Sequence, residues 1–241
     1  MSKLCEKTIA VLDSFWAEDT VCALDDFNTR GVAIVERPAA DGSEYVHLFR
    51  RRQRLQINCS ASLVDTVQSA TRSQPLEVVF SPQFLKQALA GRIERLVGPA
   101  YLGYRDTALM LEDSDARLLV PGDAAALEGL RREVTIQDWE YSGLEPEQPI
   151  AGSFGGRALI SAAGYDVWGG RIAHIGVLTR PHARGSGHGR KCVSAITDHA
   201  IARGLIAQYR TLFDNKGARA IACALGFEEY GATIHIAVSA A

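Results

Sequence analysis

An α/β protein of the α+β kind, with a mixed sheet and helices interleaved among its strands, is what this sequence predicts. Three observations carry that reading. Short apolar runs such as Leu55–Cys59, Ile150–Phe154 and Ile172–Thr179 are separated by proline, glycine and turn-forming residues. Longer segments with capping residues at their starts lie between them, as at Ser81-Pro82 and Asp123. Hydrophobic residues make up 47% of the chain and charged residues 22%, the balance of a globular protein with a sizeable core.

In chain order, Lys3–Trp16 reads as a helix and Val32–Val35 as a strand, which Pro38 and the turn Asp41-Gly42-Ser43 end. Tyr45–Phe49 then forms the other arm of a hairpin, and the basic run Arg50–Arg54 is a solvated turn before the alternating strand Leu55–Cys59. Ser60 or Ser62 caps a helix through Ser69, and Ser81-Pro82 opens another that Gly91 ends. Strand-like pieces cover Leu96–Tyr104. The polar break Glu112-Asp113-Ser114-Asp115 is taken as a domain boundary, because 241 residues suit two small domains. The second part continues with a strand Arg117–Val120, helices Asp123–Glu133 and Gln137–Ser142, and strands Ile150–Phe154, Arg157–Tyr165 and Ile172–Thr179. A helix Gly187–Arg203, a strand Leu205–Leu212, a helix Asn215–Leu225 and a strand Glu229–Val238 complete it.

The net charge of −2 gives no general attraction to nucleic acid or acidic lipid, so an anion site has to be a local cluster. The run Arg50–Arg54 is short and has no interleaved stacking aromatics, which argues against a nucleic-acid surface. Five cysteines without a C-x-x-C pair read as reduced thiols. With no long apolar stretch at the N-terminus and no run near the roughly 18 residues that span a bilayer, the expected place is the cytoplasm, away from membranes. No His or Cys spacing fits a metal site, so none is expected.

The informative stretch is IAHIGVLTRPHARGSGHGRK, an apolar strand joined through a proline turn to a glycine-rich loop that opens a helix. Glycines at 185, 187 and 189 let backbone N–H groups approach oxygen atoms, and the helix start adds unpaired N–H groups and the positive end of its dipole. Arg180, Arg184, Arg190 and Lys191 bring positive charge to this phosphate-binding arrangement. A dinucleotide fingerprint fails, because Arg190 or Cys192 stands where a glycine is required. A nucleotide-triphosphate loop fails as well, because arginine follows Gly189 and cysteine follows Lys191.

What matches is R-x-x-G-x-G, as Arg184, Gly187 and Gly189. Together with the later helix led by Asn215 and closed by Leu225-Gly226-Phe227, residues 115–241 resemble the GNAT superfamily of acetyl-CoA-dependent N-acetyltransferases. Residues 1–114 carry nothing as specific; they read as an additional N-terminal α/β domain of unassigned role, a degenerate copy of the same core being one form of it. The resemblance implies a splayed mixed sheet flanked by helices. It implies acetyl-CoA as cosubstrate, its pyrophosphate on the amides of Arg184, Gly185, Ser186, Gly187, His188, Gly189 and Arg190. The pantetheine arm would lie along Val177, Leu178 and Thr179, with Asn215 also facing the coenzyme. A backbone N–H near Val177 or Leu178 would polarise the thioester carbonyl.

The implied reaction is direct attack by a primary amine in a ternary complex. An amine with a pKa near 10.4 is uncharged in only about one molecule in a thousand near neutral pH, so a base is useful. His174, on the strand leading to the coenzyme, is the first candidate, against a purely structural role as a hydrogen-bonded sheet histidine. The family's usual acid, a tyrosine four residues before the glycine of Leu-Gly-Phe, is replaced by Ala222. Tyr209 and Tyr230 are the substitute candidates, against roles as sheet aromatics. Tyr165, Asp166, Trp168, Arg210 and Asp214 are candidates to line the acceptor pocket. The acceptor is a small-molecule, peptide or protein amine, and a homodimer is one arrangement compatible with the reading. The competing reading, suggested by Ala222, is a catalytically silent acyl-CoA-binding module with a partner-binding N-terminal domain.

Overall fold

A computed structural model describes residues 4–109, 111 and 114–239. They divide into two compact units that are interleaved along the chain. The first holds Cys5–Leu102, Thr211–Asp214 and the residues from Glu229 onward; the second holds Leu4, Gly103–Arg210 and Asn215–Glu228. Of the polar break taken as a boundary, Glu112 and Asp113 lie outside the described residues, as does Lys3 at the expected start of the first helix.

The first unit opens with α1 (Glu6–Asp19) and α2 (Leu24–Phe27), then β1 (Gly31–Glu36), β2 (Glu44–Arg51) and β3 (Arg54–Cys59). The helices α3 (Val64–Thr71), α4 (Leu76–Val79) and α5 (Pro82–Ala88) lead to β4 (Ile93–Arg105). Ser81 caps α5 as expected, its hydroxyl accepting the Phe84 N–H at 3.2 Å. The expected hairpin of the first two strands is replaced by another pairing: β1 runs parallel to β3, and the hairpin is β2–β3, turning at Arg52-Gln53. The cause lies in the side chains. Val46, Leu48, Leu55 and Ile57 interdigitate with Ile234 and Ile236 in one buried cluster, which only the β2–β3 register places on a common face. The opposite face carries Trp16 stacked on Phe49 with ring centroids 4.7 Å apart.

The second unit contains β5 (Arg117–Leu118), α6 (Ala124–Arg132), α7 (Ile136–Ser142), β6 (Ile150–Gly155), β7 (Ala158–Trp168) and β8 (Ile172–Thr179). It continues through α8 (His188–Ala202), β9 (Ile206–Leu212) and α9 (Lys216–Ala224). The final strand β10 (Glu228–Val238) pairs antiparallel with β2 and so lies in the first unit from Glu229 onward. Strands β5 to β8 form an antiparallel meander, and β8 pairs parallel with β9 after the crossover through α8. The first unit does not repeat this meander, since its β1 and β3 are parallel. Helices cover both faces of β8. A Cβ on Gly176 would fall 1.7 Å from the Ser142 carbonyl at the end of α7, whereas one on Gly189 of α8 would meet Thr179 and Val177. Side-chain alternation therefore puts His174, Gly176 and Leu178 on the α6/α7 face and Ile175, Val177 and Thr179 on the α8 face.

Candidate active site

The parallel ladder between β8 and β9 runs from Ile172 opposite Ile206 to Ile175 opposite Tyr209 and ends there, although β8 continues to Thr179. On its other side β8 stays paired with β7 through Thr179, in continuous register. The result is a strand edge whose backbone groups have no ladder partner among the described residues. Because the Arg180 N–H bonds to Ile160 of β7 at 2.9 Å, alternation turns the N–H and C=O of Val177 and Thr179 toward the open edge. Of the two expected polarising amides, Val177 has this direction and Leu178 the other; the Leu178 carbonyl accepts from the Ser161 hydroxyl at 2.8 Å.

The open edge leads into the glycine loop. Gly185 and Gly187 adopt φ of +85° and +86°, a left-handed backbone that side chains with a Cβ resist, and no protein atom lies within 4 Å of where a Cβ would project. The first intrahelical bond at this end of α8 runs from the Lys191 N–H to the Gly187 carbonyl at 3.2 Å. The amides of His188, Gly189 and Arg190 thus emerge from the helix end without an intrahelical acceptor, at the positive pole of the dipole. These features fit a pyrophosphate. Gly189 serves a different purpose from the one its spacing suggests. Its Cβ would press on the Thr179 hydroxyl at 3.2 Å and on Ile221 at 3.4 Å, so glycine here lets α8 and α9 approach β8 closely.

The nearby cations divide into two groups. Arg180 is buried, donates to the Leu159 carbonyl at 2.7 Å and pairs with Glu133, so it ties β8 to β7 and α6 and is no phosphate ligand. Lys191 pairs with Asp115 at 3.1 Å, and that lysine's hydrogen bond holds the Asp115 carboxyl below its ordinary range. Arg184 pairs with Asp138 of α7 at 3.0 Å and donates to the Thr179 carbonyl at 3.3 Å. Its guanidinium is half exposed, where an ion pair is weak and a phosphate can replace the carboxylate. Arg190 and Ser186 are exposed beside the loop. His188 is held by Ser153, whose hydroxyl lies 2.8 Å from Nδ1. Asn215 caps α9, its side-chain oxygen accepting the Ala218 N–H at 3.1 Å, so that its oxygen has a structural task.

His174 lies just before the point where the ladder ends. Its Nδ1 is 2.6 Å from the side-chain oxygen of Gln208, and Gln208 donates in turn to the Tyr104 hydroxyl. An amide oxygen only accepts, so Nδ1 carries the proton and the Nε2 lone pair is free for another. The ring stacks on Trp168 at 4.1 Å. Burial pushes the His174 pKa down, with Arg210 acting the same way, against the Gln208 bond and the Asp166 carboxylate. Of the expected acceptor residues, Asp166, Trp168 and Arg210 surround this histidine. Tyr165 is turned to the other face, its hydroxyl 3.2 Å from His199, and Asp214 falls in the first unit. Gln208 gave no signal in the sequence, since only the register of β8 against β9 sets it beside His174.

The two tyrosines have different surroundings. The Tyr209 ring is buried on the α8 face against Phe227, its hydroxyl makes no hydrogen bond among the described residues, and burial pushes its pKa well above the ordinary phenol value. It is therefore a protonated donor at neutral pH. Tyr230 lies in the first unit, where its hydroxyl donates to Asp13 at 2.6 Å and its ring sits 4.3 Å from the Arg51 guanidinium. Those contacts give it a structural task. Ala222 is fully buried in α9, and burial pushes the Cys192 thiol up to about 12, which leaves it unreactive. Among the described residues no cluster could hold a metal ion, and no helix is long and apolar enough to cross a membrane.

Comparison with known proteins bears on the second unit above all. The sequence model of the acetyltransferase (GNAT) family matches residues 123–227. No curated protein matches the chain in sequence. Among solved structures, a GCN5-related N-acetyltransferase-like protein from Streptococcus suis aligns over 97% of this chain and 98% of its own, at 13% identity and a TM-score of 0.50. An acetyltransferase of the GNAT family from Colwellia psychrerythraea aligns over 77% of each chain, at 14% identity and a TM-score of 0.51. At these identities the likeness is one of fold.

Proposed function

We propose, from the match of residues 123–227 to the GNAT acetyltransferase family, that the chain is an N-acetyltransferase that moves an acetyl group from acetyl-CoA to a primary amine by direct attack. The observation that carries the proposal is the end of the β8–β9 ladder at Ile175 and Tyr209, with His174 and Tyr209 adjoining the opening from opposite faces. In this reading the amides of His188, Gly189 and Arg190 and the guanidinium of Arg184 hold the pyrophosphate, and the open edge at Val177 and Thr179 orients the pantetheine arm as Arg184 turns from the Thr179 carbonyl to the phosphate. The Val177 N–H stabilises charge developing on the thioester oxygen.

His174 has the role of base. A depressed pKa keeps its ring neutral at physiological pH, and Gln208 leaves Nε2 to accept the amine proton. The amine nitrogen bonds to the carbonyl carbon and the carbon–sulfur bond breaks. Tyr209 donates a proton to the departing sulfur from the α8 face, and the cycle closes as His174 releases the amine proton to solvent and Tyr209 recovers one from it. Overall the neutral amine gives up one proton and CoA leaves as a thiol. Asp166, Trp168 and Arg210 form the acceptor side, and the reading places the protein in the cytoplasm.

The test is continuous release of free CoA thiol from acetyl-CoA, with a panel of small amines, lysine peptides and polyamines. Turnover with an amine and none with the matching alcohol supports the reading. Tight coenzyme binding with no turnover across the panel identifies a silent binding module instead.

A further inference from the structure

The basic run Arg50–Arg54, expected to be a solvated turn, is only partly solvated in the first unit. Arg51 is 4% exposed, pairs with Asp13, and donates to the Asn28 side chain at 3.1 Å. Arg54 donates to the Thr29 hydroxyl at 3.0 Å and to Gln56 at 3.3 Å, while its Nε is buried with no hydrogen-bond partner among the described residues. Arg52 stands at the β2–β3 turn with φ of +50°, the left-handed conformation that a two-residue hairpin turn requires of its first residue. These three and Arg30 line one cavity of about 270 Å³, floored by Phe27 and completed by Asn28, Thr29 and Gln53.

The charges of that cavity are unbalanced. Among the described residues no carboxylate lines it, and the ion pair made by its arginines is that of Arg51 with Asp13. Arg30, Arg52 and Arg54 have no ion pair among the described residues. Gathering four guanidinium groups around a single paired carboxylate is unfavourable, and that cost is offset when an anion is bound. Guanidinium forks match the paired oxygens of phosphate and carboxylate groups, and a space of this size suits a small molecule in place of a polymer chain.

We propose that this cavity is a binding site for a small multivalent oxyanion, a phosphate ester or a polycarboxylate, separate from the coenzyme loop. Arg30 and Arg52 close over the anion at the exposed mouth, and Arg51 and Arg54 form its fixed inner wall. The proposal is independent of the acetyltransferase reading, because none of its residues belongs to the second unit.

The experiment is calorimetric titration of the whole chain with inorganic pyrophosphate and, separately, with citrate, at constant ionic strength set with chloride. Arg30→Ser and Arg52→Gly are the site variants, the second placing glycine where φ is positive so that the fold is retained. Gly187→Ala is the control for pyrophosphate bound at the coenzyme loop. Binding of either anion that falls tenfold or more in both arginine variants, while CoA affinity stays unchanged and Gly187→Ala keeps the site, is the expected result. The anion that binds more tightly assigns the source. Absence of binding by both anions, or binding lost in Gly187→Ala and kept in the arginine variants, overturns the proposal.

Discussion

Replacing Gly187 by alanine separates a coenzyme cradle from an ordinary tight turn. The position has φ of +86°, and no protein atom lies within 4 Å of the added Cβ. The cost to the fold is then the left-handed backbone alone, about 1–2 kcal/mol. For a chain of this length that lowers Tm by roughly 2–8 °C. The effect on coenzyme is separate, since on the proposed reading the methyl group takes up open space beside the loop that the pyrophosphate needs. Displacing a charged phosphate from even one of the loop amides costs about 1.5–3 kcal/mol, a loss of roughly tenfold to more than a hundredfold in affinity. Gly204→Ala is the matched control. It has φ of +76°, equally open space, and a place just past the C-terminal end of α8, where no coenzyme contact is expected. Calorimetry with CoA and thermal melts on both variants read the two effects apart. Similar melting losses with weakened CoA binding in Gly187→Ala alone support the cradle. Equal CoA affinity in both variants and the parent refutes the reasoning.

Tyr209→Phe is expected to lower kcat by about 100-fold with CoA affinity unchanged, as for loss of a proton donor. Tyr230→Phe should leave kcat intact and lose about 1.5–3 kcal/mol of stability in denaturant unfolding, since Asp13 loses a charge-assisted hydrogen bond. For His174 the folded pKa is depressed, so its neutral form, and with it activity as a base, is present above that pKa and is lost as pH falls through it. The same sign holds for its part in stability, which is fully present above the unfolded value near 6.5 and is lost on acidification. The acidic limb of the kcat/KM profile should thus lie below pH 6.5 and vanish in His174→Gln, which a pH series of initial rates checks. Gly176→Ala places a Cβ 1.7 Å from the backbone oxygen of Ser142, which cannot yield as a side chain does. We expect a loss of about 3 kcal/mol or more, or failure to fold, measured by chemical denaturation against the parent.

Features written in a few adjacent residues could be read from the sequence alone. Ser81 before Pro82, Asn215 before its helix, and glycines at 185 and 187 each act on backbone within a turn of themselves, so residue type and spacing are enough. That is why the strand, the glycine loop and the helix after it, and with them the resemblance to the GNAT family, were legible from the sequence. Partners drawn from distant segments were not. The parallel pairing of β1 with β3, the place of β10 beside β2, and the end of the β8–β9 ladder depend on side chains that meet only in the folded sheet. Arg180 looks like a phosphate ligand until Glu133 and the Leu159 carbonyl are seen to hold it, and Tyr230 looks like an acid until its hydroxyl is seen to donate to Asp13. Gln208, which settles which nitrogen of His174 carries the proton, is an unremarkable strand residue in one dimension. Local backbone preference acts over a few residues, whereas the environment of a charge or a hydroxyl is set by whatever the tertiary fold brings within about 4 Å, and that information is spread across the whole chain.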